Sequence, residues 1–200
     1  MPTFDERALD WDTPERHEQA RAIATLIVET VRPRPTARVL ELGAGTGLLG
    51  LELLPNVAEV VLSDASGGML EVADAKIATG AYPGASTLSF TLTEDAVPDD
   101  QFDLVVSMMA LHHVPDTAAA VEVIAHLVVS GGKIALVDLD AEDGSFHSDA
   151  PGPVLHGFER DGLRAELEAA GFSDIAFQVA WEVQRDDRTY PMFLVTATRS

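Results

Sequence analysis

The stretch Glu41–Gly50, "ELGAGTGLLG", places four glycines in ten residues directly after the apolar pair Val39 and Leu40. Glycine alone adopts positive φ at little cost, so the pattern reads as a chain leaving a buried strand, turning sharply and entering a helix. A turn of that kind usually lies against a ligand.

Outward from the turn, strand and helix patterns alternate. Before it, Thr13 and Pro14 start a helix whose apolar positions Ala20, Ile23, Ala24, Ile27, Val28 and Val31 recur at helical spacing until "RPRP" (Arg32 to Pro35) stops it. After it, the spacing predicts strands at Arg38 to Leu42, Glu59 to Ser63, Thr87 to Leu92, Asp103 to Met108 and Lys133 to Leu139. Helices follow Gly47 and span Ser66 to Thr79, Asp116 to Val129 and Glu159 to Ala170, the last closed by Gly171. Regular alternation implies right-handed crossovers and a mainly parallel, doubly wound α/β sheet. The ending differs: Ile175, Phe177, Val179, Trp181 and Val183 alternate strictly, "QRDDRT" (Gln184 to Thr189) forms a polar connection, and Met192 to Thr198 follows as an antiparallel partner. The whole chain reads as one domain. Residues 1–36 form a helical cap, 37–140 the ligand-binding core, 141–157 a candidate lid without clear period, and 158–200 a helix and hairpin.

Composition narrows the function classes. A chain of 200 residues with 46% hydrophobic content can build a sizeable core, and no run is apolar for long enough to span a bilayer. There is no cysteine, and the start has neither the basic nor the apolar segment of a secretory signal, which predicts a cytoplasmic protein. The net charge of -20, from 33 acidic and 13 basic residues, repels polyanions, so nucleic acid is an unsuitable partner. The same charge favours a small acceptor that is uncharged or cationic, and it suits a salt-adapted host, where the Debye length falls to about 3 Å at 1 M.

Two cofactors compete for the turn. Gly45 to Gly50 matches the dinucleotide pattern G-x-G-x-x-G, and Asp64 follows at the distance of a ribose-binding acid. Counted from Gly43, the first glycine after the strand, the third dinucleotide glycine falls on Leu48. The register that fits the strand end is therefore E-x-G-x-G-x-G: Glu41, Gly43, Gly45, Gly47. A pyrophosphate gains nothing from an acid there, because it needs free N–H groups and a positive helix end. S-adenosylmethionine carries a sulfonium and an ammonium against one carboxylate, so Glu41 attracts it while backbone N–H groups receive its carboxylate.

At this point the chain resembles the class I S-adenosylmethionine-dependent methyltransferases, particularly the small-molecule group that includes the ubiquinone and menaquinone biosynthesis enzymes. Four segments carry the resemblance in order: "VLELGAGTGLLG", "VVLSDASGGML", "FDLVVSMMALHHVPD" and "LVVSGGKIALVDLD". The resemblance implies a Rossmann-like seven-stranded sheet with one antiparallel strand. It also implies that Gly43, Ala44, Gly45 and Gly47 approach the methionine part of the cofactor beside Glu41. Asp64 would accept from both ribose hydroxyls, and Ala65 and Met69 would pack near the adenine. An acid after the third strand would bind the adenine amino group, with Glu94, Asp95 and Thr93 as the alternatives. Ser107 and Met108, ending the fourth strand, stand where open α/β sheets hold ligands.

Methyl transfer from a sulfonium is an in-line displacement in which alignment supplies ~7 to 11 kcal/mol, with S-adenosylhomocysteine as product. A base is needed only where the acceptor must lose a proton, and His112 and His113 are the candidates. Trp11, Phe4, Phe146, His147 and His156 are candidate acceptor contacts in the leading segment and lid, whereas Phe158, Trp181 and Tyr190 read as core. No metal is expected, since the adjacent histidines lack zinc-site spacing and Asp138 and Asp140 read as strand-terminal solvation. Two other readings stay open: a nicotinamide-dependent oxidoreductase, and a non-catalytic protein that binds S-adenosylmethionine.

Overall fold

The computed structural model describes residues 3–146, 154–185 and 187–200. A short helix α1 (Phe4–Arg7) and a 3-10 turn (Ala8–Asp10) precede α2 (Pro14–Val31). Thr13 caps α2 by accepting the Arg16 N–H at 3.3 Å, and Pro14 occupies the first turn, where a missing N–H costs nothing. Then follow β1 (Arg38–Leu42), α3 (Leu48–Leu53), β2 (Glu59–Asp64), α4 (Gly67–Ile77), β3 (Ala85–Ser89), β4 (Phe102–Met108), α5 (Thr117–Leu127) and β5 (Val128–Leu139). The chain ends with α6 (Arg160–Ala169), β6 (Phe172–Arg185) and β7 (Arg188–Arg199). Among the described residues no helix is long and apolar enough to cross a membrane.

The seven strands form one sheet in the order β3-β2-β1-β4-β5-β7-β6. Pairing is parallel from β3 to β5, and β7 runs antiparallel to both of its neighbours. Helices cover both faces, as near-continuous apolar strands require. Along β4 the alternation is visible residue by residue: Val105 packs with α5 and α6, while Leu104 and Val106 pack with α2 and α3.

Three boundaries differ from the sequence reading. β3 runs over Ala85–Ser89 instead of Thr87 to Leu92, because its sole partner β2 ends at Asp64 opposite Ser89 and nothing remains to pair with. α5 stops at Leu127 and β5 begins at once at Val128, pairing with Phe102 across a register shift. The "QRDDRT" connection is mostly ladder, with Gln184 opposite Thr189 and Arg185 opposite Arg188.

The strict alternation of β6 is also interrupted. Register shifts separate Ser173 from Ala176 and Val179 from Trp181. A bulge inserts one residue and reverses which face the following side chains point to. Ile175 and Phe177 accordingly pack on the α5–α6 side, whereas Trp181 and Val183 pack on the α2–α3 side.

Candidate functional site

The chain steps from β1 outward to β2 and β3 and then returns to β4 on the other flank of β1. Open α/β sheets carry their ligand crevice at such a reversal, beyond the carboxyl ends of the strands. A cavity of about 960 Å³ lies there, bordered by Leu42, Asp64, Ser107 and Met108 from three strand ends.

The glycine turn forms its floor, and its glycines do different work. All three of Gly43, Gly45 and Gly47 have positive φ. A Cβ on Gly43 would stand 2.3 Å from that of Ala110, and one on Gly47 would meet Leu62 at 2.6 Å. Those two positions answer to packing. Gly43 and Gly45 both border the cavity, and of the three only Gly45 has room for a Cβ, with the Trp11 Nε1 and Met69 sulfur at 3.7 and 3.8 Å from where it would be. Ala44 is buried and donates its N–H to the Ser63 carbonyl at 2.8 Å, which fixes the turn onto β2.

Two carboxylates stand at this end. Glu41 is 2% exposed, borders the cavity and accepts the Gly50 N–H at 2.8 Å. Burial pushes its pKa up to about 8, reinforced by the charge of Asp64 and opposed by the Gly50 hydrogen bond and by Lys76. Gly50 thus serves Glu41: a Cβ there would lie 2.6 Å from the carboxylate oxygen. Asp64 accepts the Gly45 N–H at 2.7 Å through one oxygen and the Ser66 N–H at 2.8 Å through the other. Each carboxylate oxygen can accept a further bond, so Asp64 is oriented for a diol without being used up.

Ala65, Met69, Glu94, Ser107 and Met108 also border the cavity. The Ser107 hydroxyl is spent on the Leu42 carbonyl at 2.9 Å, so its role there is to join β4 to β1. Asp95 is not among the lining residues, because its carboxylate turns back to accept the Thr91 N–H at 2.7 Å. Of the alternatives after the third strand, Glu94 and Thr93 face the space and Asp95 does not. His156 is likewise outside the lining and stands against Gly144. His147 and residues 148–153 of the candidate lid lie outside the described residues.

His112 and His113 begin where β4 ends and both border the cavity. His112 is buried, and its Nδ1 lies 2.7 Å from an oxygen of Asp138, itself 1% exposed. The other Asp138 oxygen accepts the His112 N–H at 3.3 Å, so one carboxylate holds both the backbone and the ring. This corrects the reading of Asp138 as strand-terminal solvation. Asp140 takes a different partner, a two-point ion pair with Arg160 at 2.6 and 2.7 Å. His113 packs edge-on against Phe4, with ring centroids 5.3 Å apart.

The remaining border of the cavity is made by the leading segment, whose Trp11 stands beside the glycine turn, and by the terminal hairpin. Trp11, Phe4 and Phe146 face the cavity, as do Arg7, Arg16, Arg185 and Met192, which the sequence reading did not single out. Trp181, read from the sequence as core, packs against the α2–α3 core and, past the β6 bulge, also borders the cavity. Phe158 and Tyr190 are buried in the core.

A methyltransferase-domain family matches residues 15–176. An uncharacterized methyltransferase of Bacillus subtilis, YcgJ, is 33% identical over 113 residues, covering 56% of this chain and 45% of that protein. The UbiE ubiquinone/menaquinone biosynthesis C-methyltransferase of Geotalea daltonii is 26% identical over 116 residues, covering 56% of this chain and 49% of that protein. The aligned segment thus spans about half the length of these curated relatives. The YcgJ crystal structure superimposes with a TM-score of 0.72 at 20% identity, over 88% of this chain and 97% of that one. A Haloferax volcanii methyltransferase, solved with the Trm112 activator, gives a TM-score of 0.79 at 18% identity, over 99% and 98% of the two chains. With the matched domain covering most of the sequence and a seven-stranded sheet that superimposes on these neighbours, the chain belongs to the class I S-adenosylmethionine-dependent methyltransferase family.

Proposed function

We propose that this protein is a methyltransferase that uses S-adenosylmethionine to methylate an oxygen of a small molecule, with His112 as general base. The observation that carries the reading is the buried His112–Asp138 pair bordering the same cavity as the glycine turn.

The residues at the turn fit the cofactor. Asp64 is positioned by two backbone N–H groups, Glu41 is an acid at the turn's base, and Met69, Phe90 and Leu111 give apolar walls. When bound, S-adenosylmethionine supplies a methyl group already activated on sulfur. The nicotinamide alternative is disfavoured, since the Gly50 N–H that would meet a pyrophosphate in the literal dinucleotide register is taken by Glu41.

At the acceptor end the chain's own contribution is orientation and proton removal. The Asp138 carboxylate accepts from His112, which keeps the ring proton on Nδ1 and the basic lone pair on Nε2. A hydroxyl held against that nitrogen can lose its proton as its oxygen becomes nucleophilic. Methylation of a thioether sulfur releases no proton and would not require such a pair, and neither would a cofactor sensor.

Calorimetric titration with S-adenosylmethionine, S-adenosylhomocysteine and NADH tests the cofactor. Micromolar binding of the first two and none of NADH is expected; NADH alone would overturn the reading. With any hydroxyl acceptor that turns over, His112→Ala should lower kcat by about 10² to 10⁴ while leaving S-adenosylhomocysteine affinity within about twofold.

A further inference from the structure

The border that the leading segment and the terminal hairpin give the cavity carries a charge that the rest of the chain does not. The protein has 33 acidic and 13 basic residues, yet three arginines, Arg7, Arg16 and Arg185, border this one space. Most surface arginines are matched to carboxylates: Arg21 to Glu52, Arg34 to Asp103, Arg38 to Glu59, Arg160 to Asp140 and Arg188 to Asp143. Among the described residues, none of the three cavity arginines has a carboxylate within ion-pair distance. Arg16 and Arg7 instead lie over the ring of Trp11, at 3.9 and 5.1 Å from its centroid, and Arg185 lies 5.1 Å from that of Phe146.

These groups border one cavity from the leading segment, α2 and the end of β6. Arg16 is one turn before Gln19 on α2, and the Gln19 amide is 3.3 Å from the Met192 sulfur, whose strand partner is Trp181. Arg185 lies four residues beyond Trp181 on β6. Arg16 is half-buried, and desolvation and the nearness of Arg7 hold its pKa below the ordinary arginine value, opposed by the charges of Asp12 and Glu15. One of its five N–H groups goes to the Trp11 carbonyl at 2.6 Å, which leaves donors for a ligand. Glu15, Glu18 and Glu182 also border the space and are exposed, as Arg185 is, and Glu15, engaged with Thr13 and its own backbone, also feels the charge of Arg16.

Two guanidiniums on one indole in a partly desolvated place repel each other, a cost that the nearby Asp12 and Glu15 offset in part and that a bound anion would offset further. A cationic acceptor would be repelled by all three. A planar carboxylate matches the guanidinium fork in two-point geometry, and Trp11, Trp181 and Phe146 offer flat apolar faces to the body that carries it. Resting on the methyltransferase reading, we propose that the acceptor is a small aromatic acid whose carboxylate is bound by Arg16 and Arg7, with Arg185 closing from the hairpin. This replaces the expectation, drawn from net charge, of an uncharged or cationic acceptor. A net charge acts at long range and is screened, whereas the site is decided by the groups within a few ångströms of it.

The chain's two tryptophans, Trp11 and Trp181, both border the cavity, so intrinsic fluorescence reads its occupancy. Benzoate, benzamide and benzylammonium are titrated into the protein with saturating S-adenosylhomocysteine, so that the cofactor's own carboxylate has been accommodated first. Benzoate should bind with a Kd at least about tenfold below the other two. Arg16→Gln and Arg185→Gln should each raise the benzoate Kd about tenfold without changing that of benzamide. Arg16→Lys should restore only part of the loss, since lysine has the charge without the fork. Benzamide or benzylammonium binding as tightly as benzoate overturns the proposal, as does benzoate failing to titrate up to about 20 mM, a Kd above the weak limit of specific recognition. An Arg16→Gln variant that loses S-adenosylhomocysteine but keeps benzoate also overturns it, because the arginine would then serve the cofactor. The same three titrations without S-adenosylhomocysteine read the charge preference separately, so failure of the cofactor to bind refutes the methyltransferase reading and not this one.

Discussion

Glu41 is a carboxyl group with one backbone N–H for a partner and almost no solvent, and that sets its pH behaviour. Its pKa of about 8 in the folded protein lies above the 4.5 of an ordinary glutamate. Between those values the unfolded chain gives up the proton while the folded chain keeps it, so stability falls as pH rises from about 4.5 to 8. Below about 4.5 both states are protonated and the contribution is fully present. Glu41→Gln should flatten this part of the stability–pH profile in urea titrations, leaving the variant more stable than the parent at pH 8. A profile of unchanged slope would show that Glu41 ionises as freely in the fold as out of it. A cationic cofactor draws out the ionised form, so S-adenosylmethionine should bind the parent with release of a proton near pH 7, measurable as buffer-dependent heats that Glu41→Gln lacks. At Asp64 the expected effect is on affinity. Asp64→Asn keeps the shape but loses charge-assisted bonds worth about 1.5 to 3 kcal/mol each, so the S-adenosylhomocysteine Kd should rise about 10- to 100-fold. An unchanged Kd would remove Asp64 from the ribose site.

The leading segment is held over the glycine turn at two places. Asp12 accepts the Thr46 hydroxyl at 2.5 Å and pairs with Lys76 at 2.6 Å, while Lys76 also donates to the Thr46 carbonyl at 2.8 Å. Nearer the start, Asp5 accepts the Ser66 hydroxyl at 2.5 Å and the Gly68 N–H at 2.9 Å, at the start of α4. Gly68 lacks the Cβ that would come within 2.9 Å of the Asp5 backbone. These bonds are mostly local to one short segment, so losing one should release the segment without unfolding the sheet. Lys76→Met should make residues 3–13 cleavable by limited proteolysis and speed S-adenosylhomocysteine release about tenfold in stopped-flow displacement. Equal release rates would mean that the segment does not gate the cavity. In α3 the critical position is Gly50. A methyl group there meets Leu62 at 2.5 Å and Val60 at 2.9 Å as well as Glu41, so Gly50→Ala should cost about 1 to 3 kcal/mol of overpacking and lower Tm by several degrees.

At the scale of the whole molecule, the charge of -20 opposes compaction by self-repulsion. Screening relieves it, as the Debye length falls from about 30 Å at 0.01 M salt to about 3 Å at 1 M. Tm should therefore rise steadily with sodium chloride over that range, measured by differential scanning calorimetry. A flat curve would show that surface pairs such as Arg38–Glu59 and Arg34–Asp103 already balance the local field, and would remove the salt-adapted reading.

The sheet was legible because period and punctuation are local. The alternation of strand and helix patterns, the glycine turn after Leu42 and the capping residues Thr13, Ser66 and Asp116 each act within a few residues of themselves. Glu41 and Asp64 were legible for the same reason, since both end at fixed offsets from a strand. The rest of the cavity was not. His112 found Asp138 across 26 positions, Lys76 found Asp12 across 64, and Trp181 entered the cavity only because a bulge in β6 reversed its face. Even the glycines changed meaning once packed, Gly43 answering to Ala110 and Gly50 to Glu41. Sequence determined the backbone path because propensity and periodicity are short-range. Tertiary structure decided which further side chains border the cavity, because they come from segments that only the folded sheet brings together.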